Sequence, residues 1–168
     1  TSIAGALRNY LREIEFGYGQ AEDPNSIVTR LFGGVREGDE DGEQSSLIID
    51  DAIGTSAGVE LRDGVMIIPE TRTAEDSKKF DMQLLAAGTT FPLRFELLIS
   101  EDSQSMRNAL VTALLGFEKG KITIGARKRR GFGQCSVKDW QVIKYDLSTK
   151  QGLLDWLGSD YGFHNAKP

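Results

Sequence analysis

The residues best suited to binding chemistry lie between Ile122 and Gly133, where the sequence reads ITIGARKRRGFG. A short β-type run leads there into a segment of glycines, consecutive cations and one aromatic residue: Gly125, Arg127, Lys128, Arg129, Arg130, Gly131, Phe132 and Gly133. Cations neutralise phosphates, glycines let a ligand backbone come close, and a phenylalanine ring offers a stacking face for a base. The segment therefore predicts a curved loop that binds a polyanion.

The charge of the whole chain strengthens this prediction. The chain has 20 Lys and Arg against 25 Asp and Glu, for a net charge of −5, yet five of the ten residues from Lys121 to Arg130 are basic. Positive charge is thus concentrated against the general trend. A solvated basic surface loop is the alternative interpretation, and the charge contrast makes it less favoured.

Catalytic chemistry has much weaker support. Asp50 and Asp51 end a predicted strand, but neighbours on a strand point to opposite faces, so strand-end hydrogen bonding is favoured over metal binding. Asp51 is the single catalytic candidate, and its support is weak. A single histidine, His164, and a single cysteine, Cys135, cannot build a zinc site of the Cys/His type and make a Ser or Cys triad improbable. We expect no metal site and no cofactor.

Helices that could position these residues are predicted from apolar spacing. Apolar residues recur every three or four positions over residues 2–15, which indicates a first amphipathic helix. The same pattern runs from Met106 to Phe117, with Ser103 as a possible N-cap and Gly120 as the stop. A helical turn is predicted over 27–32, and Ser148 could cap a short final helix.

Strands are predicted over 46–53, 80–85, 90–99 and 134–147. The pair Asp63-Gly64 is a strong hairpin signal, so we expect a tight turn there, within 59–68. The polar stretch from Pro69 to Lys79 is expected to be an exposed excursion. These elements predict an α+β fold.

The length and composition of the chain suit one soluble domain. A length of 168 residues is ordinary for a single domain with a sizeable core. No apolar run approaches the roughly 20 residues needed to cross a bilayer, so no membrane partner is expected. The lone cysteine fits a reducing cytoplasm.

Ordered segments of the chain resemble the RAMP proteins of CRISPR systems, especially the backbone subunits of type III RNA-guided effector complexes. The resemblance rests on TSIAGALR at 1–8, LFG at 31–33, LIIDDA at 47–52, VELRDGV at 59–65, AAGTTF at 86–91 and IGARKRRGFG at 124–133. Each segment is weak by itself, but together they run in the expected order over most of the chain.

This resemblance implies a single RAMP domain over 1–168 with a ferredoxin-like (RRM-type) βαββαβ core. Its glycine-rich loop would contact guide (cr)RNA, and the start of its first helix would lie beside the guide backbone, which makes Ser2 and Arg8 RNA-contact candidates. It also implies an inserted thumb-like β-hairpin, for which the candidates are Arg62, Met66 and Arg72. The implied partners are guide RNA, target RNA and other RAMP subunits of a cytoplasmic antiviral ribonucleoprotein.

Two features of the sequence depart from the family pattern. Ala4 stands where such proteins often carry a lysine, so one expected phosphate contact is absent. The first core strand and the loop that holds the catalytic aspartate of target-cleaving subunits would precede Thr1, so we expect a fragment or a segment of a larger or fused subunit.

Two other functions remain open at this point. A metal-dependent ribonuclease that cuts target RNA or processes the guide precursor would use Asp51, and it would need Mg²⁺ only if the assembled complex cleaves RNA. A ferredoxin-like module that contacts only proteins would bind no RNA.

Overall fold

A computed structural model describes residues 2–34, 42, 44–100 and 103–159 of the chain. Helices and antiparallel strands both occur, which confirms the α+β class. The helices are α1 (Ser2–Phe16), α2 (Ile27–Phe32), α3 (Gln104–Glu118) and α4 (Lys150–Leu157). The strands are β1 (Leu47–Ile49), β2 (Val59–Ile67), β3 (Ala74–Leu85) and β4 (Phe95–Leu97), and a 3-10 turn covers Lys128–Arg130.

The core lies among α1, α2 and α3, which pack against one another. Leu7 of α1 and both Val28 and Leu31 of α2 are fully buried. Helices α1 and α3 approach closely at Gly116, where a Cβ atom would lie 2.3 Å from Cε1 of Tyr10. The predicted helices over 2–15, 27–32 and 106–117 are therefore confirmed, since their apolar faces meet in this core.

Ser103 is the N-cap residue of α3, as predicted, but its side chain does not bond to the N–H groups of the first helical turn. Its hydroxyl donates instead to the carbonyl of Ser100 at 2.6 Å. The last helix, α4, has Thr149 as its N-cap, whose Oγ1 accepts from the N–H of Gly152 at 3.0 Å. The prediction of Ser148 as its cap was wrong by one residue.

The four strands form two antiparallel pairs. In the first pair, Leu47 of β1 lies opposite Leu97 of β4. In the second pair, β2 and β3 form a longer hairpin in which Val59 lies opposite Leu85. The hairpin is inserted between β1 and β4 in the sequence. An isolated β-bridge between Thr55 and Thr90 joins the segment before β2 to the segment after β3.

The predicted turn at Asp63-Gly64 was wrong. Both residues lie inside β2, opposite Asp81 and Phe80 of β3. The chain reverses instead between Ile68 and Thr73, where the N–H of Ile68 donates to the carbonyl of Thr73 at 2.9 Å. Part of the expected polar excursion from Pro69 to Lys79 therefore lies in β3, which begins at Ala74, although the described side chains of this stretch are exposed as expected.

Other strand predictions were too long. Residues 46–53 and 90–99 hold strands of three residues each, β1 and β4. No strand forms over the described residues 135–147, and Gln134 makes only an isolated bridge with Thr123. The periodic apolar residues there were insufficient because a strand also needs a partner that satisfies its backbone groups.

Two compact units divide the chain, Thr1–Cys135 and Ser136–Pro168. The first contains the helical core, both strand pairs and the glycine-rich loop, and the second contains α4. None of the helices that the structure describes is long and apolar enough to pass through a bilayer.

Candidate nucleic-acid interface

The glycine-rich loop is closed at its base by backbone pairing. The N–H of Ile124 donates to the carbonyl of Gly133 at 2.9 Å, and Thr123 bridges Gln134. Gly133 has a φ of 74°, and a Cβ atom on it would lie 1.7 Å from the carbonyl oxygen of Ile124. Only glycine fits such a close approach, so Gly133 is a structural requirement for the loop.

The crown of the loop is a 3-10 turn flanked by left-handed residues. Arg127 has a φ of 56° and Gly131 a φ of 81°, so the run of cations follows a curved backbone as predicted. The N–H of Gly131 donates to the carbonyl of Lys128 at 3.1 Å, which commits that amide to the turn. Arg127, Lys128 and Arg130 are exposed, and the side chain of Arg129 lies outside the described part.

The β2–β3 hairpin presents two different faces. Residues directly opposite each other in an antiparallel pair share a face, and Arg62 lies opposite Met82 while Gly64 lies opposite Phe80. We call this the inner face. Met82 and Leu84 on it are half-buried, whereas their neighbours along β3 are exposed, so the inner face is the one that other residues cover.

The inner face meets the glycine-rich loop through two arginine–aromatic contacts. The guanidinium carbon of Arg127, on the loop, lies 4.9 Å from the ring centre of Phe80 on the hairpin. The guanidinium carbon of Arg62, on the hairpin, lies 5.8 Å from the ring centre of Phe132 on the loop. Both distances are within the range of a cation–π interaction. The hairpin and the loop therefore each contribute one cation and one ring.

A groove of about 380 Å³ runs between the hairpin and the loop. Its walls come from both segments: Met82, Gln83, Leu84, Ala126, Arg127 and Phe132. The groove thus combines apolar side chains with the guanidinium group of Arg127. Such a lining suits a flat, partly polar group beside an anion, which is the chemistry of a nucleotide.

The outer face of the hairpin has the opposite character. Asp63 and Asp81 lie directly opposite each other there, and Lys79 reaches Asp63 with an Nζ–Oδ2 distance of 3.5 Å. Around these acids, the outer face exposes aliphatic side chains: Val59, Leu61, Val65 and Leu85. Like charges directly opposite each other repel, and Lys79 offsets only one of the two carboxylates, so these three side chains together disfavour a polyanion. The outer face is therefore unsuited to phosphate.

The first-helix candidates are placed differently from the loop. Ser2 begins α1, and its side chain is outside the described part. Arg8 donates through Nε and Nη2 to the two carboxylate oxygens of Glu22 at 3.0 and 2.8 Å. Glu22 also accepts from Oγ1 of Thr29 at 2.7 Å. Arg8 is thus already held by a carboxylate on the protein itself.

The pKa of Glu22 is shifted in the direction expected for this pairing. Burial disfavours the charged form of Glu22, but hydrogen bonds from Arg8 and Thr29 and the positive charge of Arg8 outweigh it, so its pKa is lowered. A neighbouring cation favours the carboxylate in this way. The helix candidate Arg8 therefore serves the fold, whatever else it contacts.

The three hairpin candidates are not gathered in one place. Arg62 lies in the inner face beside Phe132. Met66 is 53 % exposed at an irregularity in the β2–β3 register, and Arg72 lies in the turn with a φ of 56°. Only Arg62 thus joins the loop residues.

The acidic pair does not form a metal centre with its neighbours. Oδ2 of Asp50 lies 3.4 Å from Nε of Arg94, and Arg94 also pairs with Glu96. Asp51 is exposed. Within the residues that the structure describes, no group of three or more His, Cys, Asp or Glu side chains could hold a metal ion.

Sequence reasoning missed the contribution of β3 to this interface. Phe80, Met82 and Gln83 belong to it, but they were predicted only as part of a strand. Their alternation could have placed Phe80 and Met82 on one face. No signal in the sequence could have shown that this face meets a loop about 50 residues further along the chain.

These features define an α+β protein in which an inserted hairpin and a basic glycine-rich loop share one surface. A family model described as the RAMP superfamily matches residues 1–136, nearly the same span as the first compact unit. The chain therefore belongs to the RAMP superfamily of CRISPR-associated proteins, which confirms the resemblance found in the sequence. No curated protein matches the chain.

Proposed function

We propose that this chain is a guide-RNA-binding backbone subunit of a type III CRISPR effector complex. The observation that carries the proposal is the joining of the basic loop to the inner face of the hairpin by Arg127 on Phe80 and Arg62 on Phe132. Two segments that the family resemblance assigns independently to RNA thus form one surface. Membership of the RAMP superfamily supports a role in CRISPR systems.

The charges of the loop are available to a ligand. Among the described residues, no acidic side chain lies within ion-pair distance of Arg127, Lys128 or Arg130, whereas Arg8 is paired to Glu22. Each of these cations can release counterions from a phosphate backbone, which gives affinity without regard to sequence. That property suits a scaffold that has to accept any guide.

The aromatic component of the proposed contact is Phe132. One face of its ring is covered by Arg62, and Phe132 also lines the groove. A base entering the groove would stack on this ring, a contact worth about 1–3 kcal/mol per base and tolerant of base identity. In this proposal the phosphates lie along the loop and a base lies against Phe132.

We also propose that β1 and β4 are two strands of a ferredoxin-like core. Support comes from their antiparallel pairing and from the packing of α1 against α3, since both helices cover one face of the sheet in that fold. An experimental structure of the chain in an effector complex tests this arrangement. Any other strand order around β1 and β4 contradicts it.

The proposal assigns a binding role and no catalytic residue. Asp51, the weak candidate for a metal-dependent ribonuclease, is exposed, and its neighbour Asp50 is engaged with Arg94. No observation on the described residues therefore favours the ribonuclease alternative over RNA binding.

The test is RNA affinity measured over a series of salt concentrations. Replacing Arg127, Lys128, Arg129 and Arg130 with alanine should lower the affinity for a single-stranded RNA at least tenfold. It should also make the salt slope shallower by up to about 3, since each phosphate contact contributes about 0.7. Two RNAs of unrelated sequence should behave alike.

A matched control removes the same charge elsewhere. Lys119, Lys138, Lys144 and Lys150 are exposed lysines outside the loop, and their joint replacement with alanine changes the net charge equally. The control should keep most of the wild-type salt slope. Equal losses in both variants would show a general charge effect and contradict a site at the loop.

A further inference from the structure

The two arginine–aromatic contacts form a crossed arrangement, which we call the latch: Arg62, Phe80, Arg127 and Phe132. The hairpin provides the cation of one contact and the ring of the other, and so does the loop. Neither segment can shift along the other without weakening both contacts. The latch therefore couples the position of the hairpin to the shape of the loop.

Gly64 is built into the latch although it contributes no side chain. It lies opposite Phe80 in the β2–β3 register, and a Cβ atom on it would lie 2.5 Å from both Cε2 and Cζ of that ring. The ring of Phe80 thus lies across the bare backbone of Gly64. A methyl group at position 64 would displace the ring from its place beneath Arg127.

The backbone of Gly64 itself does not require glycine. Its φ is not positive, unlike that of Gly58 or Gly88 at the base of the hairpin. An alanine is compatible with an extended strand conformation, so the requirement at position 64 comes from the ring of Phe80. This separates Gly64 from glycines that are needed for their turn geometry.

The latch leaves Arg127 able to bind phosphate, whereas Arg62 also donates from Nη2 to the carboxylate of Glu60 at 3.1 Å. A guanidinium group that stacks on a ring keeps its charge and its in-plane N–H donors. Stacking also restricts a side chain that otherwise loses considerable rotamer freedom on binding. Arg127 further has a left-handed backbone conformation, which a non-glycine residue keeps only when its surroundings hold it there.

We propose that Gly64 is a positioning residue for RNA binding: it seats Phe80 beneath Arg127, and the latch thereby holds the loop cations ready for a phosphate backbone. This inference rests on the proposed function and adds to it how the hairpin acts on the loop. The residues that touch RNA in this proposal remain the cations of the loop and Phe132.

The experiment is a double-mutant cycle on RNA affinity. Gly64→Ala and Phe80→Ala should each weaken binding of a single-stranded RNA about three- to fivefold, the worth of one exposed cation–π contact. The double variant should lose no more than either single variant, because both changes remove the same contact. Losses that multiply to about tenfold or more would overturn the proposal.

Matched variants distinguish positioning from general damage to the hairpin. Val65→Ala changes the neighbouring residue on the outer face and should leave RNA affinity unchanged. Phe80→Tyr keeps an aromatic ring and should retain wild-type affinity, whereas Phe80→Leu keeps only apolar bulk and should lose it like Phe80→Ala. Full affinity in Phe80→Leu would overturn the role of the ring.

A second readout needs no RNA. In the free protein, the ring current of Phe80 should move the NMR signals of the Arg127 δ protons upfield, and Gly64→Ala should abolish that shift. A shift that persists in Gly64→Ala overturns the inference even if RNA binds well. Failure of the wild-type chain to bind RNA in the salt series instead overturns the proposed function, and the positioning role with it.

Discussion

Two arginines that the sequence marked as RNA contacts have contrasting surroundings. Arg8 of α1 makes two hydrogen bonds to the carboxylate of Glu22, and its side chain is 36 % exposed. Arg127 of the loop lies over the ring of Phe80. One cation is held by an acid and the other by an aromatic ring.

The difference decides what each arginine can offer to a ligand. A carboxylate neutralises its partner, so a phosphate reaching Arg8 would have to compete with Glu22. An aromatic ring orients a guanidinium group and leaves its charge in place. The charge of Arg127 is therefore open to a ligand, as the proposed function requires, whereas Arg8 holds Glu22 and α2 beside the first helix.

The largest expected effect concerns the closure of the loop that carries Arg127. Gly133→Ala places a Cβ atom against the carbonyl oxygen of Ile124 and should cost at least about 3 kcal/mol of unfolding free energy, because backbone clash adds to left-handed strain. Denaturant unfolding measures this cost. Gly125→Ala, with open space around its Cβ, is the control and should cost about 1 kcal/mol. Equal costs would show that the close approach is unimportant.

The next effect sharpens the contrast at α1. Arg8→Ala leaves the half-buried Glu22 carboxylate with Thr29 as its remaining side-chain donor and should lower the unfolding free energy by about 1–2 kcal/mol. Its affinity for RNA should stay within about twofold, since less than one phosphate contact is lost. Arg30→Ala, which removes an exposed cation on α2, should change stability by less than about 0.5 kcal/mol. A large loss of RNA affinity in Arg8→Ala would break the comparison.

A pH series tests the same pair without removing Arg8. The pKa of Glu22 is lowered from its ordinary value of 4.5 in the folded chain, so its carboxylate stabilises the fold at pH values above 4.5. This stabilisation is lost as the pH falls below 4.5 through the folded pKa. The difference in unfolding free energy between wild type and Glu22→Gln should therefore be largest near neutral pH and shrink toward pH 3. A constant difference would contradict the pairing.

The smallest effect separates backbone strain from the stacking contact at Arg127. Arg127→Gly and Arg127→Ala both remove the contact with Phe80, but only glycine adopts a φ of 56° without strain. The glycine variant should be more stable by about 0.5 kcal/mol, once its greater chain entropy is subtracted. Both should lose RNA affinity equally. A glycine variant that binds better than the alanine variant would show that loop shape contributes independently of the arginine.

The helices could be predicted from sequence because their information is local. The apolar spacing of α1 and α3 directly reports the faces that are buried in the core, which include Leu7 and Ala113. The basic loop could be predicted as well, since cations and glycines are consecutive there. In each case a single stretch of sequence carries the whole signal.

The hairpin could not be predicted correctly because two requirements compete at Asp63-Gly64. This pair is typical of a tight turn, yet Gly64 lies within β2 beneath the ring of Phe80. The glycine is required by the ring of Phe80, which is 16 positions away in the sequence. The residues next to Gly64 therefore give no indication of this requirement. The latch is non-local for the same reason, since it joins positions 62 to 132 and 80 to 127.

The acids on the outer face of the hairpin make its two faces different in charge. Asp63 and Asp81 lie back to back with Arg62 and Met82 on the same two strands, so these carboxylates lie on one face of this single-layer sheet and the two arginine–aromatic contacts on the other. On the proposed function, an RNA strand that meets this two-stranded ribbon would run along its inner face, so the hairpin would decide on which side the ligand passes.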